Sequence, residues 1–316
     1  MEAFFTMLSN VLIFIALAVP GYVLAKTRLI SDKESAPLSR LLIYVGVPFM
    51  VASNLIDITF DSHALQIILL STLIGIIYTV ICYFLSIPAT HYIKDLKTQG
   101  VARFEIFAGN NGFLGIPLAV AVFSDMPLVV TGVIIVNLIN NVSMYTIGIY
   151  SISGDKKNIS IKKLLTNPCL IGFAVGLILN FTKVSSVLPQ VSDYLSRSQA
   201  IVTPISMIII GIKLGSIKLL DIFKSKNMYI VSFYKLILVP FIITAVLLLV
   251  RIWINVPSEL ILGLFVAFAV PSASLATTFA DNFGGDSKSA AIFTIGTTIL
   301  SVNTIPVLYY LLMLII

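Results

Sequence analysis

Apolar runs separated by short joints rich in Lys, Asp, Ser and Pro set the pattern of this chain. About 20 apolar residues make a helix that crosses a hydrocarbon core of ~30 Å, whereas barrel strands need only about 9–11. The pattern therefore predicts an all-α membrane bundle of ten transmembrane helices. They fall at residues 8–25, 37–56, 64–90, 101–123, 127–151, 164–181, 191–214, 228–254, 257–283 and 287–316. The joints are too short to hold a soluble domain.

Span four is irregular. It contains Gly109-Asn110-Asn111-Gly112-Phe113-Leu114-Gly115-Ile116-Pro117. Inside a helix, Gly costs about 1 kcal/mol and Pro about 3 kcal/mol relative to Ala. Backbone freed by such a break is tolerated at membrane depth only where protein or a wet cavity satisfies it. The centre of the break lies about ten residues past Arg103, near 15 Å at ~1.5 Å per residue, which is the midplane of the core. Span nine carries a second interruption, Val270-Pro271-Ser272-Ala273-Ser274-Leu275-Ala276-Thr277-Thr278. Phe107-Ala108 and Phe268-Ala269 precede the two breaks. Leu38-Ser39-Arg40 and Leu195-Ser196-Arg197 are likewise followed by Pro48 and Pro204. Ten spans then divide into a first repeat at 1–151, a linker at 152–163 and a second repeat at 164–316. Five spans per half force the halves into opposite orientation. Interrupted segments at equivalent places in two halves are the sequence sign of a transporter binding site.

Composition agrees. The 316 residues are 58% hydrophobic and 11% charged, where soluble domains carry about 25% charged residues. Of the 20 Lys and Arg, 17 fall in the joints after spans one, three, five, seven and nine or in the adjoining helix ends. They are Lys26, Arg28, Lys33, Arg40, Lys94, Lys97, Arg103, Lys156, Lys157, Lys162, Lys163, Lys213, Lys218, Lys224, Lys226, Lys235 and Lys288. Only Lys183, Arg197 and Arg251 lie elsewhere. The positive-inside rule makes the first set cytoplasmic and both termini external, in an inner or plasma membrane. Basic residues that punctuate joints are a topology signal, so no nucleic-acid partner is expected. Glu2 and the lack of a basic start argue for a retained first helix rather than a signal peptide. Cys82 and Cys169 have no metal or disulfide spacing and read as buried small hydrophobes.

A carboxylate in a membrane site needs donors, and half-helix N-termini and neutral amides supply them without a buried fixed charge. Asn110 and Asn111 are the first candidates for substrate contact, with Gly112 and Pro117 in the same stretch; capping of the broken backbone is the competing role. Asn140 and Asn141 in span five and Asn303 in span ten either touch ligand or bond between helices. Pro271, Ser272 and Ser274 offer freed carbonyls and hydroxyls. Glu105 is expected to form a surface pair with Arg103. Lys213 and Lys235 are expected to snorkel to the interface, or one of them to draw anions into a cytoplasmic vestibule. With no Asp, Glu or His placed at a midplane, transport is expected to need no protein carboxylate as proton carrier. The inside-negative potential would drive anion export by ~2.3 kcal/mol per charge per 100 mV; sodium held by carbonyls and amides is the alternative. Gly172-x-x-x-Gly176 and Gly211-x-x-x-Gly215 suit close helix packing, within the bundle or between subunits. There is no His-Glu-x-x-His, no Gly-x-Ser-x-Gly and no Asp pair at depth, so an enzyme is not expected, nor a cofactor or metal.

The stretch Asn110-Asn111-Gly112-Phe113-Leu114-Gly115-Ile116-Pro117-Leu118 resembles the span-four motif of the auxin efflux carrier family, which includes plant PIN carriers and bacterial dicarboxylate permeases. The family pattern is Asn-Thr-x-x-x-Gly-Ile/Leu-Pro-Leu; Asn110, Gly115, Pro117 and Leu118 match, and Asn111 replaces the Thr. Ala269-Val270-Pro271, with Phe279-Ala280 further on, resembles the span-nine motif, although plant members carry a second proline where this chain has Ala276. Asn167-Pro168, Gly172 and Gly176 are similar to the start of the family's second half. The resemblance implies two inverted five-helix repeats with crossed, broken helices four and nine, a bile-acid-transporter/NhaA-like fold. It implies a scaffold of spans one, two, six and seven that dimerises, and a transport domain of spans three to five and eight to ten that moves like an elevator. The implied cargo is a small organic anion, an auxin-like monocarboxylate or a malate-type dicarboxylate, exported by a carrier whose surrounding partner is membrane lipid. A channel-like or substrate-sensing protein on the same fold is the alternative.

Overall fold

The computed structural model describes residues 2–31 and 34–316; Lys33 of the basic set lies outside the described residues. Twelve helical segments carry the architecture. They are α1 Glu2–Lys26, α2 Ser35–Leu55, α3 Ser62–Thr90, α4 Leu96–Phe107, α5 Asn111–Val122, α6 Pro127–Ser153, α7 Pro168–Phe181, α8 Pro189–Ser216, α9 Lys226–Trp253, α10 Ser258–Ala269, α11 Ala276–Phe283 and α12 Ser287–Met313. Among the described residues, seven helical stretches, in α1, α2, α3, α6, α8, α9 and α12, are long and apolar enough to cross a membrane. α5, α7 and α10 are apolar but shorter. The result is an all-helical integral membrane protein.

Local chemistry sets the helix ends. The Asp61 carboxylate accepts the Ala64 N–H at 2.8 Å and starts α3, and Asp95 does the same for Thr98 and α4. Asn167 accepts the Cys169 N–H at 2.8 Å, and Pro168 takes the first helical position, where its missing N–H costs nothing. α7 therefore begins at Pro168 rather than at residue 164; Leu164 and Leu165 belong to a separate turn, Ile161–Leu165. Gly154 and Gly284 end α6 and α11 in the left-handed region, with φ of 69° and 78°. Proline also explains three widened turns. Leu42–Gly46, Asn111–Gly115 and Tyr234–Leu238 form π-turns just ahead of Pro48, Pro117 and Pro240. Each proline lacks an N–H and would clash with the carbonyl four residues back, and the extra residue relieves both.

Glycines decide the closest helix pairs. A methyl on Gly211 would overlap the Ala18 carbonyl oxygen, and one on Gly21 would overlap that of Ile208, so α1 and α8 meet backbone to backbone. On α7, a methyl on Gly172 would fall 2.6 Å from the Pro48 Cα, and one on Gly176 2.9 Å from the Ala52 Cα, so α7 meets α2 the same way. Both small-residue motifs thus serve packing within the bundle. Asn180, on α7, holds the end of α2. Its amide nitrogen lies 2.9, 2.9 and 2.7 Å from the carbonyl oxygens of Leu55, Ile56 and Ile58. Asn180→Ala is expected to cost about 1–3 kcal/mol, the penalty for leaving partly buried acceptors unpaired, read as a lowered thermal midpoint in detergent.

Candidate substrate-binding site

The two interruptions meet. α4 ends at Phe107, where Ala108 turns extended with φ −80° and ψ 114°. α10 ends at Ala269 because Pro271 pushes Val270 out of the helical region, to φ −61° and ψ 149°. The freed strands form an antiparallel bridge at Gly109 and Ser272. The Asn110 N–H donates to the Pro271 carbonyl at 2.8 Å, and the Ala273 N–H to the Ala108 carbonyl at 3.0 Å. Asn140 on α6 closes the remaining gap: its Nδ2 donates to the Gly109 carbonyl at 2.9 Å, and its Oδ1 accepts the Gly109 N–H at 3.3 Å. The Ser272 N–H reaches Thr297 Oγ1 at 3.2 Å, and the Ser272 hydroxyl donates to the Glu105 carbonyl at 2.8 Å. Buried non-helical backbone is satisfied by protein here, as a low-dielectric interior demands.

α5 and α11 both begin just past the crossing, so the positive ends of two helix dipoles point into one space. That space is a cavity of about 60 Å³, lined among others by Asn110, Gly112, Phe113, Asn137, Asn141, Asn167, Cys169, Ser274 and Leu275. It shares Ile43, Phe113, Ser274 and Leu275 with a wider chamber of about 340 Å³ that carries Arg40, Lys213, Thr277, Thr278 and Asp281. Lys213 Nζ donates to the Ser274 carbonyl at 2.7 Å. Asn110 is buried, and its Nδ2 has no hydrogen-bond partner, so it is an idle donor at the cavity wall. An idle buried donor is costly unless something fills it.

Four of the residues singled out from the sequence line the cavity: Asn110, Gly112, Asn141 and Ser274. Asn111 lies behind them, its amide folded over Gly109 and Gly115, with no hydrogen bond on either polar atom. Pro117, Pro271, Ser272 and Asn140 are buried parts of the crossing itself. Asn303 is exposed on α12 and is not brought to the site. Asn137, Asn167 and Cys169, which the sequence reading did not select, are at the wall: Asn137 Nδ2 donates to Cys169 Sγ at 3.2 Å, and Asn141 Nδ2 to the Asn137 carbonyl at 2.8 Å. Their signal was present, since Asn137 and Asn141 are four apart and share one face of α6.

The ionisable residues require corrections. Glu105 makes no surface pair: it is fully buried beside the crossing, and its Oε1 accepts the Thr294 hydroxyl at 2.8 Å. Arg103 instead donates to Thr90 Oγ1 at 3.1 Å. Lys235 does not snorkel. It is fully buried and donates to the Tyr78 hydroxyl at 2.8 Å, and the Tyr78 oxygen is 3.5 Å from the carbonyl of Phe107, the last residue of α4. A cation near a helix C-terminus complements the dipole there. Lys213 lines the wider chamber.

A bundle of apolar helices, two of them interrupted and paired across their breaks around a donor-lined cavity, defines a membrane transporter. A model of the family described as membrane transport protein matches residues 6–309, and the chain belongs to that family, the one its auxin-efflux-carrier-like motifs pointed to. No curated protein matches the chain.

Proposed function

We propose that the protein is a secondary transporter that exports small organic anions. The observation that carries this reading is the convergence of two helix N-termini and the idle Asn110 amide on one cavity, with Lys213 and Arg40 on the approach. That set of donors suits a carboxylate.

In this reading the chain crosses the membrane ten times, with α4–α5 and α10–α11 each forming one broken crossing. The two five-span halves are inverted repeats. Packing supports this: spans one and seven pair as spans six and two do, which is the exchange a twofold swap of halves produces. The joints support it too. Thr98, in the first turn of α4, donates to Asp286 in the joint after span nine at 2.9 Å, and Gln66, near the start of α3, donates to the Asn255 carbonyl in the joint after span eight at 3.1 Å. The basic joints are cytoplasmic and both termini external at the plasma membrane. α1, α2, α7 and α8 form the scaffold, through which two copies associate, and the remaining helices slide against it as an elevator.

The test is a thermal-shift screen of the purified protein against malonate, malate and indole-3-acetate. At least one of these is expected to raise the midpoint. Asn110→Ala is expected to abolish that shift, while Asn111→Ala, which lies behind the wall, keeps it. A shift unchanged in Asn110→Ala removes this amide from the site, and no shift with any carboxylate removes the anion reading.

A further inference from the structure

Glu105 is a carboxyl group inside the bundle, nine residues past the start of α4 at Leu96, with none of its surface exposed. Its two oxygens are unequal. Oε1 accepts the Thr294 hydroxyl at 2.8 Å, and Oε2 has no hydrogen-bond partner. An ionised carboxylate half-satisfied in such a place is costly, and ionisable groups inside membrane proteins mark proton and ion pathways. The Thr294 hydroxyl has a second acceptor within reach, the Ala273 carbonyl at 3.4 Å. Ala273 belongs to the crossing, where its N–H pairs with Ala108, and it lines the cavity.

We propose that Glu105 binds a proton, and that its protonation is linked to anion binding through the Thr294 hydroxyl. The proposal rests on the organic-anion reading above. A hydroxyl has one hydrogen to give. With Glu105 ionised, that hydrogen points at Oε1. When a hydronium ion gives its proton to Oε1 and leaves as water, the new O–H donates to Thr294 Oγ1, and Thr294 turns its own hydrogen to the Ala273 carbonyl. One O–H bond of the hydronium ion is broken and one is made on Oε1; no other covalent bond changes. The switch thus moves a hydrogen bond from the carboxyl group onto the crossing strand that borders the cavity.

The surroundings make this switch respond to cargo. The charged groups acting on Glu105 are Lys213 from α8 and Lys235 from α9; Tyr78 and Cys82 of α3 stand beside Lys235. From α12 the neighbour is Thr294, and from the second break Ser272 and Ala273. An anion in the cavity, where Ser274 carries the Lys213 ammonium on its carbonyl, adds negative charge beside the crossing, which favours the neutral form of Glu105. By reciprocity, the proton then strengthens anion binding by the same factor. Anion and proton bind together, and the loaded crossing carries less negative charge than it would with the anion alone. The expectation of a carrier without a protein carboxylate loses its ground, since a carboxyl group does stand beside the break.

The experiment is infrared difference spectroscopy on the purified full-length protein, with malonate added at fixed pH, run beside the malonate thermal shift. Wild type is expected to gain the carbonyl band of a protonated carboxyl group, and its malonate affinity to rise as pH falls. Glu105→Gln is expected to lose both the band and the pH dependence. Thr294→Val keeps the carboxyl group, so its band is expected to persist across a pH titration and to answer malonate more weakly than in wild type, the charge effect alone remaining. A malonate thermal shift without any Glu105 band overturns the linkage and leaves the anion reading standing. A band that answers malonate equally in Thr294→Val overturns the role of the hydroxyl. Absence of the thermal shift in wild type overturns the anion reading, and the linkage with it.

Discussion

Asn140→Ala is expected to abolish transport and to cost more stability than the loss of any amide at the cavity wall. Asn140 is buried and holds both peptide groups that flank the Gly109 Cα, donating to its carbonyl and accepting its N–H. Neither group sits in a helix, because the chain is broken there. Alanine leaves a buried donor and a buried acceptor unpaired, each costing about 1–3 kcal/mol, so a total of about 2–6 kcal/mol is expected. The consequence for function is larger than for folding. Gly109 is the bridge partner of Ser272, and the adjoining Asn110 and Ala273 amides carry the bonds between the two breaks. A Gly109 peptide free to rotate misplaces the start of α5, and donors misplaced by even an ångström lose the carboxylate. Asn141→Ala is the comparison. Its amide bonds the Asn137 carbonyl in its own helix, so its loss is expected to cost about 0.5–1.5 kcal/mol. Thermal midpoints in detergent and malonate flux into proteoliposomes measure both variants. Equal stability for the two would remove the clamp role.

Much of this arrangement was legible in the sequence because it is local. A cluster of Gly, Asn and Pro breaks a helix wherever it lies, and Val270-Pro271 forces an extended residue without help from tertiary contacts. Helix packing at Gly172, Gly176, Gly211 and Gly215 was legible for the same reason, since only a missing side chain lets backbones touch. What failed was depth and direction. Taking span four to begin at residue 101 put Glu105 near water, whereas α4 starts at Leu96 and buries it about two and a half turns in. The Asp95 cap on Thr98 was a readable start signal for that earlier turn. Lys235 could not be read this way. Its burial depends on Tyr78, 157 positions away, and on a π-turn that Pro240 imposes. Direction misled at Asn303 as well, because a polar residue inside a long apolar helix faces inward by habit, and this one does not. The donors at the cavity wall were half legible: the stretch was right, but which amide faces the cavity and which folds back over Gly109 and Gly115 is set by the crossing.

Gly211→Leu is expected to leave little folded protein. The α1–α8 contact is made of main chain on both sides, since the Gly211 position abuts the Ala18 carbonyl and the Gly21 position abuts that of Ile208. Replacing Gly in a helix by a good helix former gains about 1 kcal/mol of propensity, so the sign is set by space. Overpacking a well-packed contact costs about 1–3 kcal/mol where side chains can shift, and more where they cannot. Here the obstacle is a carbonyl oxygen engaged in its own helix, so the helices must part along their length. A side chain the size of leucine between them forfeits the contacts of both glycines at once. Gly172→Leu, aimed at the backbone of Pro48, is expected to do the same to the α2–α7 pair. Gly112→Ala separates crowding from function. An added methyl there meets only Asn137 Oδ1 at 3.7 Å, so stability is expected to be unchanged or slightly raised, while the cavity it lines narrows and malonate binding weakens. Size-exclusion profiles and thermal midpoints decide the matter. A monodisperse Gly211→Leu with the midpoint of wild type would mean that α1 and α8 are not a rigid pair, and the proposed scaffold role of these two helices would fall.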